Sequence, residues 1–247
     1  MKGEVLLTFN NIKKAFGKKV VLEDASFYIR KGEMFGFVGK SGGGKSTLIK
    51  ILLGISKPTA GQIHFGSKNI SKNLDSLRRK VGFVAQDNSL FRELTLRENC
   101  KYCANLYGLK KVVFEKRFRQ LTSLLGLSGS EDMKLSTFSG GMVKRANILA
   151  SLIHNPEILI LDEPTVGLDS MLRDNLWKYI RELNEKEHIT IFLVTHLLDE
   201  IEENCNRVGI LKNGKVVAFS EMKDYKKAYH DMEFKEIFKE VMTNENI

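Results

Sequence analysis

Residues 39–47 read GKSGGGKST, with glycines at 39, 42, 43 and 44 and a Lys-Ser-Thr run behind them. This is the spacing G-x-x-x-x-G-K-[ST], a phosphate cradle. The bare backbone at Gly42, Gly43 and Gly44 lets the loop fold with its N–H groups pointing inward, where side chains would block a phosphate. Lys45 is placed to reach the β- and γ-phosphates of a nucleoside triphosphate. The Ser46 hydroxyl suits Mg2+, and Thr47 an α-phosphate oxygen; Gly39, Lys40 and Ser41 complete the loop. A second acidic motif, ILILDEPTVGLD at residues 158–169, ends an apolar run in two carboxylates. Asp162 is placed to hold Mg2+ through its water shell. Glu163, the next residue, is placed to take a proton from an attacking water. A third stretch, FSGGMVKR at residues 138–145, looks like half of another cradle: a serine and two glycines before a helix, with no lysine positioned for phosphate. Alone, it reads as a Ser N-cap at a tight turn.

These groups need rigid elements beneath them. An apolar strand at 35–38 leads into the cradle, and a helix at 46–53, closed by Gly54, leads out. Residues 5–9, 20–29 and 62–65 pattern as an antiparallel β layer. Strands are expected again at 81–84, 158–161, 191–194 and 208–211, with a helix at 170–184. From about 94 to 153 apolar residues recur at three and four, as in Phe118, Leu121, Leu124 and Leu125, which is helical. Alternating strand and helix argue for a largely parallel α/β sheet with the helical block inserted in it. The stretch from about Met222 is expected to form one amphipathic helix.

The 247 residues, 43% hydrophobic, suffice for a sizeable core, and no apolar run approaches a membrane-spanning length. The start, MKGEVLLTF, has an apolar run too short for a signal peptide. A net charge of +9 is first a solvated basic surface, then a preference for polyanions such as nucleotide or an anionic membrane face. Nucleic acid is not expected, since no run interleaves aromatic with basic residues. Of the three cysteines, Cys100 and Cys103 form a CxxC within a helical pattern and are expected to be packing residues rather than ligands. No Asn-Lys-x-Asp guanine-reading motif occurs.

The run FSGGMVKRANILASLIHNPEILILDEPTVGLD, residues 138–169, taken with the cradle, resembles the core of the ATP-binding cassette (ABC) ATPases, and the resemblance covers roughly residues 4–220. It implies a P-loop NTPase (RecA-like) α/β core with a mostly parallel sheet, an antiparallel β subdomain and an inserted α-helical subdomain. One domain would occupy about 1–220, with the β layer and core at about 1–85 and 155–220, the helical subdomain at about 86–154, and a short helical tail at 221–247. In this family two such domains pair head to tail, so Ser139, Gly140 and Gly141 would face the γ-phosphate held by the partner's cradle. The lysine missing from the half-cradle would then be the other chain's Lys45. By the same resemblance Phe16 stacks on adenine, Gln86 senses Mg2+ and the γ-phosphate, Asp169 crosses the dimer and His196 contacts the γ-phosphate. Lys45, Glu163 and His196 would be catalytic; Ser46, Gln86 and Asp162 would attend the metal. Phe138, Met142 and Ser170 depart from the usual leucine, glutamine and proline, none of which supplies a cradle atom.

The stretch LTLREN…LYGL is similar to ATPase subunits of drug, lipid and polysaccharide exporters, with Leu90, Phe91, Leu94 and Leu96 expected to receive a membrane partner. The resemblance thus implies an ATP- and Mg2+-dependent ATPase driving a separate permease, cytoplasmic and peripheral on the inner face of the cell membrane, with an exporter as the first expectation. An importer ATPase or a non-transport ABC ATPase are the alternatives.

Overall fold

Phe9, Phe27, Phe35, Phe37 and Phe192, scattered through the sequence, meet in one aromatic cluster. Phe9 stacks on Phe27 with ring centroids 4.2 Å apart, and Phe27 lies 5.1 Å from Phe37 and 5.4 Å from Phe35. Such pairs add directional attraction to the apolar area they bury. The computed structural model describes residues 3–243. The chain forms two compact units, one from the segments up to Arg78 and from Thr190 onward, the other Arg79–Ile189. In chain order the first unit begins with β1 (Val5–Phe16), β2 (Lys19–Arg30), β3 (Met34–Gly39), α1 (Lys45–Leu52), β4 (Ala60–Phe65), β5 (Lys68–Asn69) and α2 (Leu74–Arg78). The second unit holds β6 (Val81–Val84), α3 (Leu96–Leu106), α4 (Lys111–Leu124), α5 (Gly140–Leu152), β7 (Ile158–Asp162) and α6 (Ser170–Glu187). The first unit resumes with β8 (Thr190–Val194), α7 (Leu198–Asn204), β9 (Arg207–Lys212), β10 (Lys215–Glu221), α8 (Met222–Ala228) and α9 (Phe234–Thr243).

In the first unit the strands lie in the order β5-β4-β1-β2-β10-β9-β3-β8. β1, β2, β4 and β5 pair antiparallel, as the alternating sequence predicts. β3 is buried along its length and runs parallel to both β8 and β9. A strand covered on both faces reads as an unbroken apolar run, which is what residues 34–39 are. Arg207, at the start of β9, is buried with its guanidinium 4.4 Å from the ring centroids of Tyr28 and Phe219 and 3.2 Å from Glu33. Burial pushes the Glu33 carboxyl up, against the Arg30 N–H bond and the Arg207 charge.

Two features depart from the sequence pattern. Residues 215–221 form β10, which pairs antiparallel with β9 across Asn213 (φ 49°) and Gly214 (φ 77°). The tail, expected as one helix, is two. Asp231 N–H donates to the Lys226 carbonyl five residues back, and His230 and Asp231 stand at φ 53° and 61°. That bond ends α8 in a left-handed turn, a conformation His and Asp tolerate better than most residues. Residues 244–247 of the expected tail lie outside the described residues.

In the second unit, β6 and β7 pair parallel, and α3, α4 and α5 form the expected helical block. His154, just beyond α5, stacks on Tyr107 at 3.8 Å and has its Nε2 3.1 Å from the Val81 carbonyl. Burial pushes its pKa down from 6.5 to about 4. The unfolded chain therefore binds the proton more tightly, so this contribution to stability is complete above pH 6.5 and is lost as pH falls toward 4. Its ceiling is ~3 kcal/mol. Denaturant midpoints from about pH 7.5 down to about 4.5 are expected to fall less steeply for His154→Phe, which keeps the stack and cannot titrate. Equal slopes would remove the assignment.

Candidate functional site

The phosphate-type cradle is built by close approach. A Cβ on Gly39 would lie 2.6 Å from the Leu211 carbonyl oxygen, so only glycine lets β3 end this near β9. The loop then turns through Gly42 at φ 73° and Gly44 at φ 110°, both left-handed, with the Gly43 N–H bonded to the Lys40 carbonyl at 3.0 Å. A Cβ on Gly44 would also meet Leu22 at 2.8 Å and the Val21 oxygen at 3.0 Å. α1 starts with no side-chain cap and no acidic residue in its first turn. No acidic side chain there offsets the helix dipole, which suits an anion.

Lys45 is 8% exposed, with its ammonium donating to the Gly39 carbonyl at 2.8 Å and the Lys40 carbonyl at 3.3 Å. Lys40, Ser41 and Ser46 are exposed and Thr47 is half-buried. His196, in the turn between β8 and α7, shares a recess of about 270 Å³ with Gly39, Lys40 and Ser41, lined also by Leu198 and by Phe238 of α9. No sequence signal marked Phe238. Phe16 is 55% exposed at the tip of the β1–β2 hairpin, with the Lys14 ammonium 4.7 Å from its ring centroid. An aromatic this exposed at a hairpin tip is not a core residue.

In the second unit β7 carries four buried residues and then Asp162, half-buried at its end. Glu163 is 9% exposed and sits at φ 51°. A left-handed glutamate costs roughly 1 kcal/mol or more. The kink takes its side chain off the strand direction that Asp162 follows. Asp169 is exposed and caps α6, its Oδ1 accepting from the Leu172 N–H at 2.9 Å. Among the described residues no group of three or more His, Cys, Asp or Glu could hold a metal ion. Mg2+ at nucleotide sites takes one or two protein ligands and fills its shell with phosphate and water. Each unit offers one oxygen group of that kind, the Ser46 hydroxyl in the first and the strand-end Asp162 carboxylate in the second.

Ser139 and Gly140 are exposed, and Ser139 Oγ caps α5 by accepting from the Met142 N–H at 3.3 Å. The two glycines differ in their surroundings. A Cβ on Gly141 would come 2.9 Å from a methyl of Leu172 of α6, which would have to shift. A Cβ on Gly140 would meet nothing within 4 Å. Its bareness serves no contact within the described chain and leaves the α5 N-terminus approachable. α5 carries no acidic residue in its first turn.

Gln86 is exposed in the loop after β6, and its carbonyl accepts from the Lys144 ammonium at 2.8 Å. Among the residues expected to receive a partner, Phe91 is 52% exposed, whereas Leu96 is fully buried and Leu90 and Leu94 are half-buried. Leu96 opens α3, where its helical position turns it into the core. Tyr102, 49% exposed, packs edge-on against Phe91 at 5.4 Å. Cys100 and Cys205 are buried and Cys103 partly so, and burial raises all three thiols.

The family profile described as ABC transporter matches residues 22–166. The linearmycin resistance ATP-binding protein LnrL of Bacillus subtilis (strain 168) is 38% identical over 89% of this chain and 70% of its own length. The Nod factor export ATP-binding protein I of Paraburkholderia xenovorans (strain LB400) is 34% identical over 87% of this chain and 70% of its own length. The methionine import ATP-binding protein MetN of Bacillus subtilis (strain 168) is 36% identical over 86% of this chain and 63% of its own length. Among solved structures, an ATP-binding subunit of an ABC transporter aligns with a TM-score of 0.84 at 29% identity, over 96% of this chain and 99% of that one. The cbiO1 protein of Clostridium perfringens, part of the transporter complex cbiONQ, aligns with a TM-score of 0.84 at 30% identity, over 96% of this chain and 94% of that one. With the cradle, the strand-end carboxylates and the capped Ser139 turn all present on a matching fold, the chain belongs to the ABC transporter family, as an ATP-binding, ATP-hydrolysing subunit.

Proposed function

We propose that ATP is hydrolysed between two such domains, the cradle of one and the Ser139 turn of the other enclosing each nucleotide, and that the cycle drives a separate membrane permease, with export as its direction. The observation that carries the shared site is Gly140. It lies at a helix start with open space where a Cβ would be, beside an exposed serine hydroxyl. A helix N-terminus with these features and no lysine suits a γ-phosphate already held by a lysine elsewhere.

In this reading Gly39, Lys40, Ser41, Gly42, Gly43, Gly44 and Thr47 wrap the phosphates, while Lys45 neutralises charge on the β- and γ-oxygens. Phe16 offers its exposed ring to the base. Ser46, Asp162 and Gln86 attend Mg2+, which supplies charge neutralisation when bound. Glu163 accepts the proton of the attacking water, His196 holds the γ-phosphate, and Asp169 meets the partner domain. Domain closure with ATP and reopening after hydrolysis would move the permease. No described helix is long and apolar enough to cross a membrane, so the spanning part belongs to another chain or segment. Phe91 and Tyr102 form the surface offered to it.

Export is supported by relatives named for linearmycin resistance, Nod factor export and bacitracin transport. Import is the second reading, favoured by the MetN relative. Co-purification of the membrane partner, followed by transport in inverted vesicles, separates the two. ATP-driven accumulation inside inverted vesicles is the expected result. Accumulation only in right-side-out vesicles loaded with ATP would overturn export.

A further inference from the structure

α5 carries a polar stripe along one face. Lys144, Asn147 and Ser151 are spaced i, i+3 and i+7, hence on one face, among the buried Ala146, Ile148, Leu149, Ala150 and Leu152. Between them they grip the end of β6 and the loop that follows it. The Ser151 hydroxyl donates to the Phe83 carbonyl at 2.8 Å. Lys144 donates to the Gln86 carbonyl at 2.8 Å. Asn147 donates to Asn88 Oδ1 at 2.8 Å and accepts from the Ser89 hydroxyl at 3.1 Å, while its amide also reaches the Val143 carbonyl at 2.9 Å. Asn147 is 5% exposed, so its bonds are made away from competing water. Further along, buried Asn99 exchanges bonds of 2.8 and 2.9 Å with the Phe91 backbone.

We infer that Lys144 and Asn147 are positioning residues that fasten the Gln86 loop to the helix beginning at Ser139, so that the loop attending Mg2+ and the turn facing the partner's nucleotide move as one piece. This rests on the roles given to Gln86 and Ser139 above and goes beyond them, because it names the side chains that couple the two. A loop with four consecutive exposed residues, 86–89, would otherwise sample many conformers, and fixing it before ligand arrives lowers the ordering cost of binding.

The test is calorimetric titration of the whole chain with ATP, with and without Mg2+, for wild type, Lys144→Met, Lys144→Arg and Asn147→Asp. Met keeps the length and helix preference of lysine but donates nothing; Arg can still donate to the carbonyl. Without Mg2+ the four are expected to bind ATP alike. With it, the gain in affinity is expected to shrink about 10-fold for Lys144→Met and Asn147→Asp, and Lys144→Arg is expected to stay within about 3-fold of wild type. A melting curve for each variant separates misfolding from misplacement. The inference is overturned if Lys144→Met gains as much from Mg2+ as wild type, or if Arg restores nothing. Failure of the underlying site reading is a distinct result: wild type itself would then gain nothing from Mg2+.

Discussion

Glu163→Gln is expected to lower the rate of ATP hydrolysis by about 10²–10⁴-fold while leaving ATP binding intact. The substitution removes the proton acceptor and nothing else of comparable size. The amide has the shape of the carboxylate, so the 9%-exposed pocket stays filled and the left-handed backbone at φ 51° is no harder to adopt. Retaining that φ at a buried glutamate costs stability that an Asn or Gly would not, which fits a residue kept for its chemistry. Single-turnover hydrolysis measures the chemical step alone. A Gln variant turning over within about 3-fold of wild type would assign the base to another group.

Lys45→Ala is expected to weaken ATP binding by about 10–100-fold, the range for losing charge-assisted hydrogen bonds. The ammonium is held by the Gly39 and Lys40 carbonyls, inside the loop rather than out in solvent. Alanine removes the buried ammonium of the cradle and leaves the glycine-built backbone in place, since Gly39, Gly42 and Gly44 owe their conformations to β9, to turn geometry and to β2. Fluorescent-nucleotide titration reads the change directly. Unaltered affinity in a folded variant would count against the cradle as the nucleotide site.

The parts of the site legible in the sequence were those whose residue types are demanded by local backbone geometry. Gly42 and Gly44 are glycines because the loop is left-handed there, and Ser139 and Asp169 precede helices because each caps one. The strand at β3 was equally legible, since its apolar run is continuous. What the sequence hid depends on distant partners. The contact a side chain at 141 would make with Leu172 of α6, and the exposure of Phe16 at a hairpin tip, follow only from the tertiary fold. The break between α8 and α9 has no Gly or Pro to mark it, only His230 and Asp231 at positive φ.

Two signals were present and informative in hindsight of the fold. Asn213-Gly214 is the dipeptide preferred in two-residue hairpins, and it joins β9 to β10. The spacing of Lys144, Asn147 and Ser151 marks a helix face with polar work to do, but which backbone atoms it grips follows only from tertiary structure. Leu96 shows the converse limit. A leucine near an expected docking surface looks the same in sequence whether it faces a partner or, as here, the core.

The central claim is that neither domain alone encloses the nucleotide, and the mass of the Glu163→Gln chain in solution tests it most directly. With ATP and Mg2+ the mass is expected to double, to return to that of the monomer when ATP is removed, and to remain monomeric with ATP when Ser139→Arg is added. A chain that stays monomeric at saturating ATP-Mg2+, or a dimer that forms just as well with the Ser139 turn blocked, would contradict it.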